Sequence, residues 1–380
     1  YLFLPDGGYS VGIVHAANNA QDNPCIWTLE EIEAALTEEE VRICTLAFGL
    51  RGLGNIPMVD DRNRSYFRKN TLTWKLSLAE LATQTSIDTE TLKQRLESIT
   101  KKLAKLRTEK PVKATKENLA TAGSNALFAS SCVSAYRVTG STDHLDRATK
   151  TLTFIRENFL TDSSNLHRVR YNGKLQSYPG TGTDHALVCQ AALDLHEVTF
   201  DTSWLKFASD IHERMHFVLG DSSTHFIKEY DGSNYPQNYD VNQFYTLRAL
   251  DNTASWAIAY SNTKRLARHE ASDILKAQYE ALSGILLHSA AVDPISSIDF
   301  LTSDAKLHQK TVYLNTPVTS PLSLIAHRNP CRIIPIIDGG NLPKLDDASA
   351  KFPIGSATIT QRGKVIGTTS NPDELTQLLK

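Results

Sequence analysis

Cysteine is scarce and irregularly placed: five in 380 residues (Cys25, Cys44, Cys132, Cys189 and Cys331), never as a C-x-x-C pair. An odd, scattered set argues against a disulfide framework and a structural zinc knuckle, and it fits reduced thiols in a cytoplasm. No apolar run approaches the length of a membrane span, and the first residues lack the basic, apolar and small-residue succession of a signal peptide. A dominant charge is missing too. Lys+Arg number 40 against 42 Asp+Glu, a formal net charge of −2, so no global field draws the chain to nucleic acid or an anionic membrane. Methionine is absent from the first position, and Tyr1 opens the chain as in a fragment or processed product. What is present is a globular composition, 41% hydrophobic and 22% charged, in a length that suits one large domain or two ordinary ones.

An internal repeat organises the middle of the chain. A shift of sixty residues lays Ala126-Leu127 on Ala186-Leu187, Val138-Thr139 on Val198-Thr199, and Thr142, Leu145 and Ala148 on Thr202, Leu205 and Ala208. Each unit reads as helix, short turn, helix and polar loop. The first helix (Asn125 to Arg137; Asp184 to Val198) is small and apolar, as a helix buried among helices is. The second carries Leu145, Ala148, Leu152, Ile155 and Phe159 at three-to-four spacing, with charged residues between them. One such unit cannot bury its inner helix alone, whereas hairpins stacked side by side into a solenoid or ring can. A third unit is expected near Thr253–His269 and Ala271–His288. Upstream, Thr28-Leu29-Glu30-Glu31 has a capping-box pattern and opens a helical stretch to about Phe48. Ser77-Leu78-Ala79-Glu80 opens another, followed by Asp88 to Arg107, with residues 52–73 as an excursion.

After about Phe300 the period changes. Thr311–Leu314 and Arg332–Ile337 read as short buried strands, Ala357–Ile366 alternates around an Arg-Gly turn, and Pro372–Leu379 reads as a helix capped by Asn371. The expected fold class is mainly α: an α/α-hairpin toroid over residues 1–300, then a small α/β segment over 301–380.

Islands along the chain carry a family likeness. They are Gly7-Gly8-Tyr9-Ser10, Trp27-Thr28-Leu29-Glu30-Glu31-Ile32, Gly54-Asn55, Leu193 through Asp201 with Trp204-Leu205 and Ala208, and Asn371-Pro372-Asp373-Glu374-Leu375. In this order they resemble the spermatogenesis-associated protein 20-like family. Its members join a thioredoxin-like domain to a toroid similar to six-hairpin glycosidases and N-acylglucosamine 2-epimerases. The resemblance implies that the early toroid and an upstream thioredoxin-like partner domain are missing from this chain. It also implies a carbohydrate ligand. The family's Asp-(Asp/Asn)-Lys, Trp-Asn-Gly and Asp-Asp-Tyr motifs align with Glu117-Asn118-Leu119, Ser124-Asn125-Ala126 and Thr183-Asp184-His185. An acidic stretch of the family becomes Gly12 through Asn18, with no carboxylate. The loss of a lysine, a tryptophan and several acids is the pattern of a partly degenerate site, as in a pseudoenzyme.

In stacked hairpins the N-terminal ends of the inner helices converge, and their unpaired backbone N–H groups favour polar or anionic ligands. That rim is the expected site. Asp184 or Glu117 is the candidate catalytic acid or base, with His185 as its partner. Asn118, Asn125, Asp251 and Asn252 are the candidate substrate-binding groups, and no metal or cofactor is expected. Several of these residue types are also ordinary helix caps. Three competing readings stand beside this one. The concave face can be a non-catalytic scaffold for a protein partner. His212-Glu213-Arg214-Met215-His216 matches the H-E-x-x-H zinc pattern, with His225 and Glu229 downstream, although Arg214 occupies a position that is usually apolar. Residues 77–103 resemble a helix-turn-helix followed by a basic run, although the net charge gives DNA binding no support. Gly339-Gly340 reads as a turn.

Overall fold

A computed structural model describes residues 2–14, 25–59, 61, 64–109, 115–116, 118–161, 164–220, 227, 255–269, 272–295, 297–307, 309–336 and 351–380. The chain divides into two compact units, one of residue 1 with 12–117 and one of 2–11 with 118–380. The division expected at residue 300 therefore lies inside the second unit.

The first unit contains β1 (Ile13–Val14), β2 (Ile26–Trp27), α1 (Leu29–Ala35), α2 (Glu38–Phe48), β3 (Asn70–Thr71), α3 (Leu78–Thr85), α4 (Thr89–Glu109) and β4 (Thr115–Lys116). β1 pairs with β4, and β2 with β3. The helical stretch expected from Thr28 to about Phe48 is present as two helices. Thr37 forms a second capping box with Glu40, directly after the first one between Thr28 and Glu31, so the chain restarts rather than continues. Ser77 and Glu80 form a third box. Along α4, Leu92, Leu96, Ile99 and Leu103 form the buried stripe and pack with Trp27, Ile32, Ile43 and Leu81. The excursion at 52–73 is held by side-chain amides. Asn55 donates to the Phe48 and Thr71 carbonyls, and Asn70 donates to that of Arg51.

The second unit runs through β5 (Leu119–Thr121), α5 (Ala122–Thr139), α6 (Thr142–Asn158), β6 (Val169–Tyr171), β7 (Lys174–Leu175), α7 (Gly182–Thr199), α8 (Thr202–Leu219), α9 (Ser255–Leu266), α10 (Asp273–Val292) and α11 (Ile298–Leu307). It ends with β8 (Thr311–Asn315), α12 (Pro321–Arg328), β9 (Arg332–Pro335), β10 (Ser356–Gln361), β11 (Lys364–Thr369) and α13 (Pro372–Leu379). The sixty-residue repeat is visible in the helices: α7 begins sixty residues after α5, and α8 sixty after α6. Even the turns match, with left-handed backbone at Gly140 (φ 73°) and at Phe200 (φ 61°). Small side chains let the inner helices approach, so α5 lies against α7 and α7 against α9. Ala126, Ala129 and Val133 meet Ala186, Cys189 and Ala192 in one core, to which α6 adds Ala148, Leu152 and Ile155. Burying each such Leu or Ile contributes roughly 1.5–3 kcal/mol. Near the start of the chain, Gly8 sits where a Cβ would fall 2.0 Å from the Phe154 ring, so only glycine lets the Gly7-Gly8 turn cross α6 there.

The mainly α class and the small C-terminal sheet are both present. The sheet has the order β11-β10-β8-β9. β8 and β9 run parallel through α12, and β10–β11 is a hairpin turning at Arg362-Gly363 with φ of 51° and 79°. A β5–β6–β7 meander replaces part of the polar loop expected after the first hairpin, turning at Asn172-Gly173. No described helix is long and apolar enough to cross a membrane.

Candidate functional site

The N-terminal ends of α5 and α7 bring together three of the expected residues. Thr181 caps α7, and its hydroxyl accepts from the Asp184 N–H at 3.1 Å. Asp184 Oδ2 accepts in return from the Thr181 N–H and from its hydroxyl, both at 3.0 Å. Asp184 Oδ1 reaches across to α5 and accepts from the Gly123 N–H at 3.1 Å. A Cβ at residue 123 would lie 2.6 Å from that oxygen, so glycine permits the contact. The carboxylate thus satisfies orphan donors at two helix ends at once. It is only 3% exposed. Burial pushes its pKa upward, opposed by Arg168, whose guanidinium lies 3.7 Å away, and by these hydrogen bonds.

His185 is also buried, and its Nδ1 lies 2.8 Å from the Thr181 carbonyl. A carbonyl only accepts, so this nitrogen carries the ring proton. Asn125 spends its amide on the backbone. Oδ1 accepts from the Tyr9 N–H at 2.8 Å, while Nδ2 donates to the Tyr9 and Thr121 carbonyls at 3.0 and 2.9 Å. Asn118 is exposed and meets the meander through its carbonyl, which accepts from the Asn172 N–H. Glu117, Asp251 and Asn252 lie outside the described residues. At the surface beside Asp184, Arg168 is partly exposed. Its N–H bonds the carbonyl of the well-exposed Tyr178, and Tyr171 is exposed on β6.

The competing motifs resolve into ordinary contacts where they are described. His212 is buried, donates through Nε2 to Gln278 Oε1 at 3.1 Å, and is pushed down to about 4 by burial. Its ring meets that of His216 edge-on, while Glu213 is exposed. Among the described residues no group of three potential ligands is assembled, and His225 and Glu229 lie outside them. In the basic stretch, Lys102 pairs with Glu40 at 2.7 Å and Arg95 pairs with Glu39. Gly339-Gly340 is outside the described residues.

Sequence reasoning missed the other end of the same helices. Arg265 of α9, nearly fully buried, holds Glu197 and Asp194 of α7, each at 2.8 Å. Arg137 and Arg332 approach the same Glu197 carboxylate at 3.8 Å. Burial alone would raise the Glu197 pKa, but Arg265, Arg332 and Arg137 overcome it and bring the carboxyl down to about 2. Arg137 also donates to the carbonyls of His327, Asn329 and Cys331, fixing the loop between α12 and β9. Beside this network lies a cavity of about 550 Å³. A signal for it was present: the repeat puts Arg137 opposite Glu197, opposite charges at one position of otherwise small, apolar helices.

No family model matches the chain. An uncharacterized protein of Caenorhabditis elegans is 27% identical over 228 residues, covering 57% of this chain and 31% of that protein. Spermatogenesis-associated protein 20 of Mus musculus is 29% identical over 204 residues, 48% of this chain and 25% of that protein. The chain thus spans about a quarter to a third of the length of these curated relatives. Among solved structures, cellobiose 2-epimerase of Bacillus thermoamylovorans aligns over 46% of each chain at 15% identity and a TM-score of 0.38. A family 76 α-mannanase of Bacteroides thetaiotaomicron aligns over 48% of this chain and 50% of its own at 16% identity and 0.37. Proteins named spermatogenesis-associated protein 20, from mouse, rat and human, are homologues of this chain over about half of its length.

Proposed function

We propose that this chain is a carbohydrate-binding hairpin protein whose recognition surface is the rim formed by the N-terminal ends of α5 and α7. The observation that carries the reading is the pairing of a buried, raised-pKa carboxyl at Asp184 with the partly exposed Arg168 guanidinium 3.7 Å away. Burial shifts that carboxyl in the direction a general acid needs, and His185 stands beside it in the first turn of α7. Arg168 offers donors to sugar hydroxyls, while Tyr178, whose carbonyl bonds the Arg168 backbone, and Tyr171 on β6 are exposed aromatic side chains of the same meander region. The names of the solved structures described above, an epimerase and a mannanase, are of the same substrate class.

A second reading has its own observation. Both Asp184 oxygens and the whole Asn125 amide are already spent on helix caps and backbone, as in a non-catalytic scaffold that keeps its frame and has lost its chemistry. A thermal-shift screen against mono- and disaccharides and amino sugars separates the two. Sugar binding predicts a ligand-dependent rise in midpoint that disappears in Arg168→Ala, with circular dichroism of the variant checking that it is folded. No rise with any sugar, from a well-folded sample, sinks the carbohydrate reading and favours the scaffold.

A further inference from the structure

At the opposite ends of the same helices, the cavity lies between the C-terminal halves of α5, α7 and α9 and the loop joining α12 to β9. Among the described residues, its walls carry four arginines, Arg137, Arg265, Arg328 and Arg332, against a single acid, Asp194. These guanidinium groups are not equally committed. Arg137 is spent on three loop carbonyls, and Arg265 on Asp194 and Glu197. Arg332 has only a 3.8 Å approach to Glu197, a carboxylate already held by Arg265, and its Nε is buried without a hydrogen-bond partner. Burial and the neighbouring Arg265 charge press Arg332 down to about 10. Arg328 is exposed to solvent, and the two carboxylates with roughly half a negative charge from the C-terminal end of each of α5 and α7 offset the other three guanidinium groups overall. The offset is not local: a buried guanidinium without a hydrogen-bonded anion is costly, and Arg332 is the one left in that position, facing the pocket. The rest of the wall is rich in hydroxyls. Ser134 and Ser261 line it, as does Ser130, whose buried Oγ has no partner.

We propose that this cavity binds a small polyhydroxylated oxyanion, its phosphate or carboxylate group seated on Arg332 and its hydroxyls on the serine-lined wall. The volume suits a ligand of monosaccharide size, and arginine is the side chain that pairs such oxyanions in a two-pronged manner. The site is independent of the rim: Asp184 and Arg168 stand at the other ends of the helices, so either reading can fail alone.

The test is isothermal titration of the full chain with inorganic phosphate, glucose 6-phosphate, glucuronate and glucose. Saturable binding of at least one sugar oxyanion is expected, none of glucose, and weakening as salt is raised. The phosphate and the carboxylate arms tell the two sources of the oxyanion apart. Affinity should fall about tenfold or more in Arg332→Met, equivalent to losing one charge-assisted hydrogen bond. It should fall a few-fold in Arg328→Gln, an exposed rim position that does not endanger folding. Absence of saturable binding by every oxyanion overturns the proposal. So does glucose binding as well as its phosphate, or an affinity unchanged in Arg328→Gln and in any folded Arg332→Met.

Discussion

The two ends of α7 solve the problem of a buried carboxylate in opposite ways. At its start, Asp184 is neutralised by backbone N–H groups and one distant arginine, and burial wins, so its pKa rises. Near its end, Glu197 is surrounded by Arg265, Arg332 and Arg137, and charge wins, so its pKa falls to about 2. A hydrogen-bonded cap consumes the oxygens of its acid. An arginine cluster leaves one guanidinium without a close anion beside a cavity. The same pair of small-residue helices therefore presents a hydrogen-bond-capped end and a cationic end.

The largest expected effect comes from removing the keystone of the cationic end. Arg265→Met leaves the buried Glu197 and the half-buried Asp194 without their main partner and should cost about 3–5 kcal/mol in urea unfolding. A loss below about 1 kcal/mol would mean that Arg332 and Arg137 suffice to hold the two carboxylates and that Arg265 is not their keystone.

Acidification comes next. His327, beside the cavity, is held down to about 4 by burial and by Arg137. Its folded pKa lies below the unfolded value of 6.5, so the unfolded chain takes up the proton first. The stability it supports is present above pH 6.5 and is lost as pH falls toward 4, by about 3 kcal/mol. Glu197 adds to the loss only below its unfolded value of 4.5. Asp184 has the opposite sign: its raised pKa means that stability falls as pH rises through and above 3.8. Urea unfolding at pH 7 and pH 4, in the wild type and in His327→Asn, isolates the histidine. An equal loss in both would show that other groups carry the acid sensitivity.

At the capped end, Asn125→Ala abandons the Tyr9 backbone and should cost about 1–3 kcal/mol. Near-neutral behaviour would contradict the view of this amide as a structural tie. Smallest is Gly140→Ala, at the left-handed turn following α5. Its backbone conformation disfavours a Cβ, which would also sit 3.2 Å from an Arg328 nitrogen. About 1–2 kcal/mol is expected, and a stabilised variant would contradict the turn geometry.

The hairpins were legible because the repeat writes helix starts, turns and small inner faces into residues sixty apart. The C-terminal strands and the Asn371-capped helix were legible through alternation and cap chemistry. Asp184 and His185 do fall at a helix end together, as the repeat implied. Their hydrogen bonds to Gly123 and Thr181 were not legible, because a cap and a catalytic acid use the same residue types at the same position. The break at Thr37 was missed because two capping boxes in succession look like one acidic helix. The arginine cluster was missed because its members come from α5, α7, α9 and β9, separated by up to 195 residues between Arg137 and Arg332, and only the Arg137–Glu197 pair shares the repeat.

The contrast between the two ends is tested most directly by amide hydrogen exchange on the full chain with and without saturating glucose 6-phosphate. The account predicts slowed exchange over residues 327–332 and the C-terminal half of α5, whatever happens at residues 181–185. Slowing confined to 181–185, or no slowing anywhere in the second unit, would contradict it.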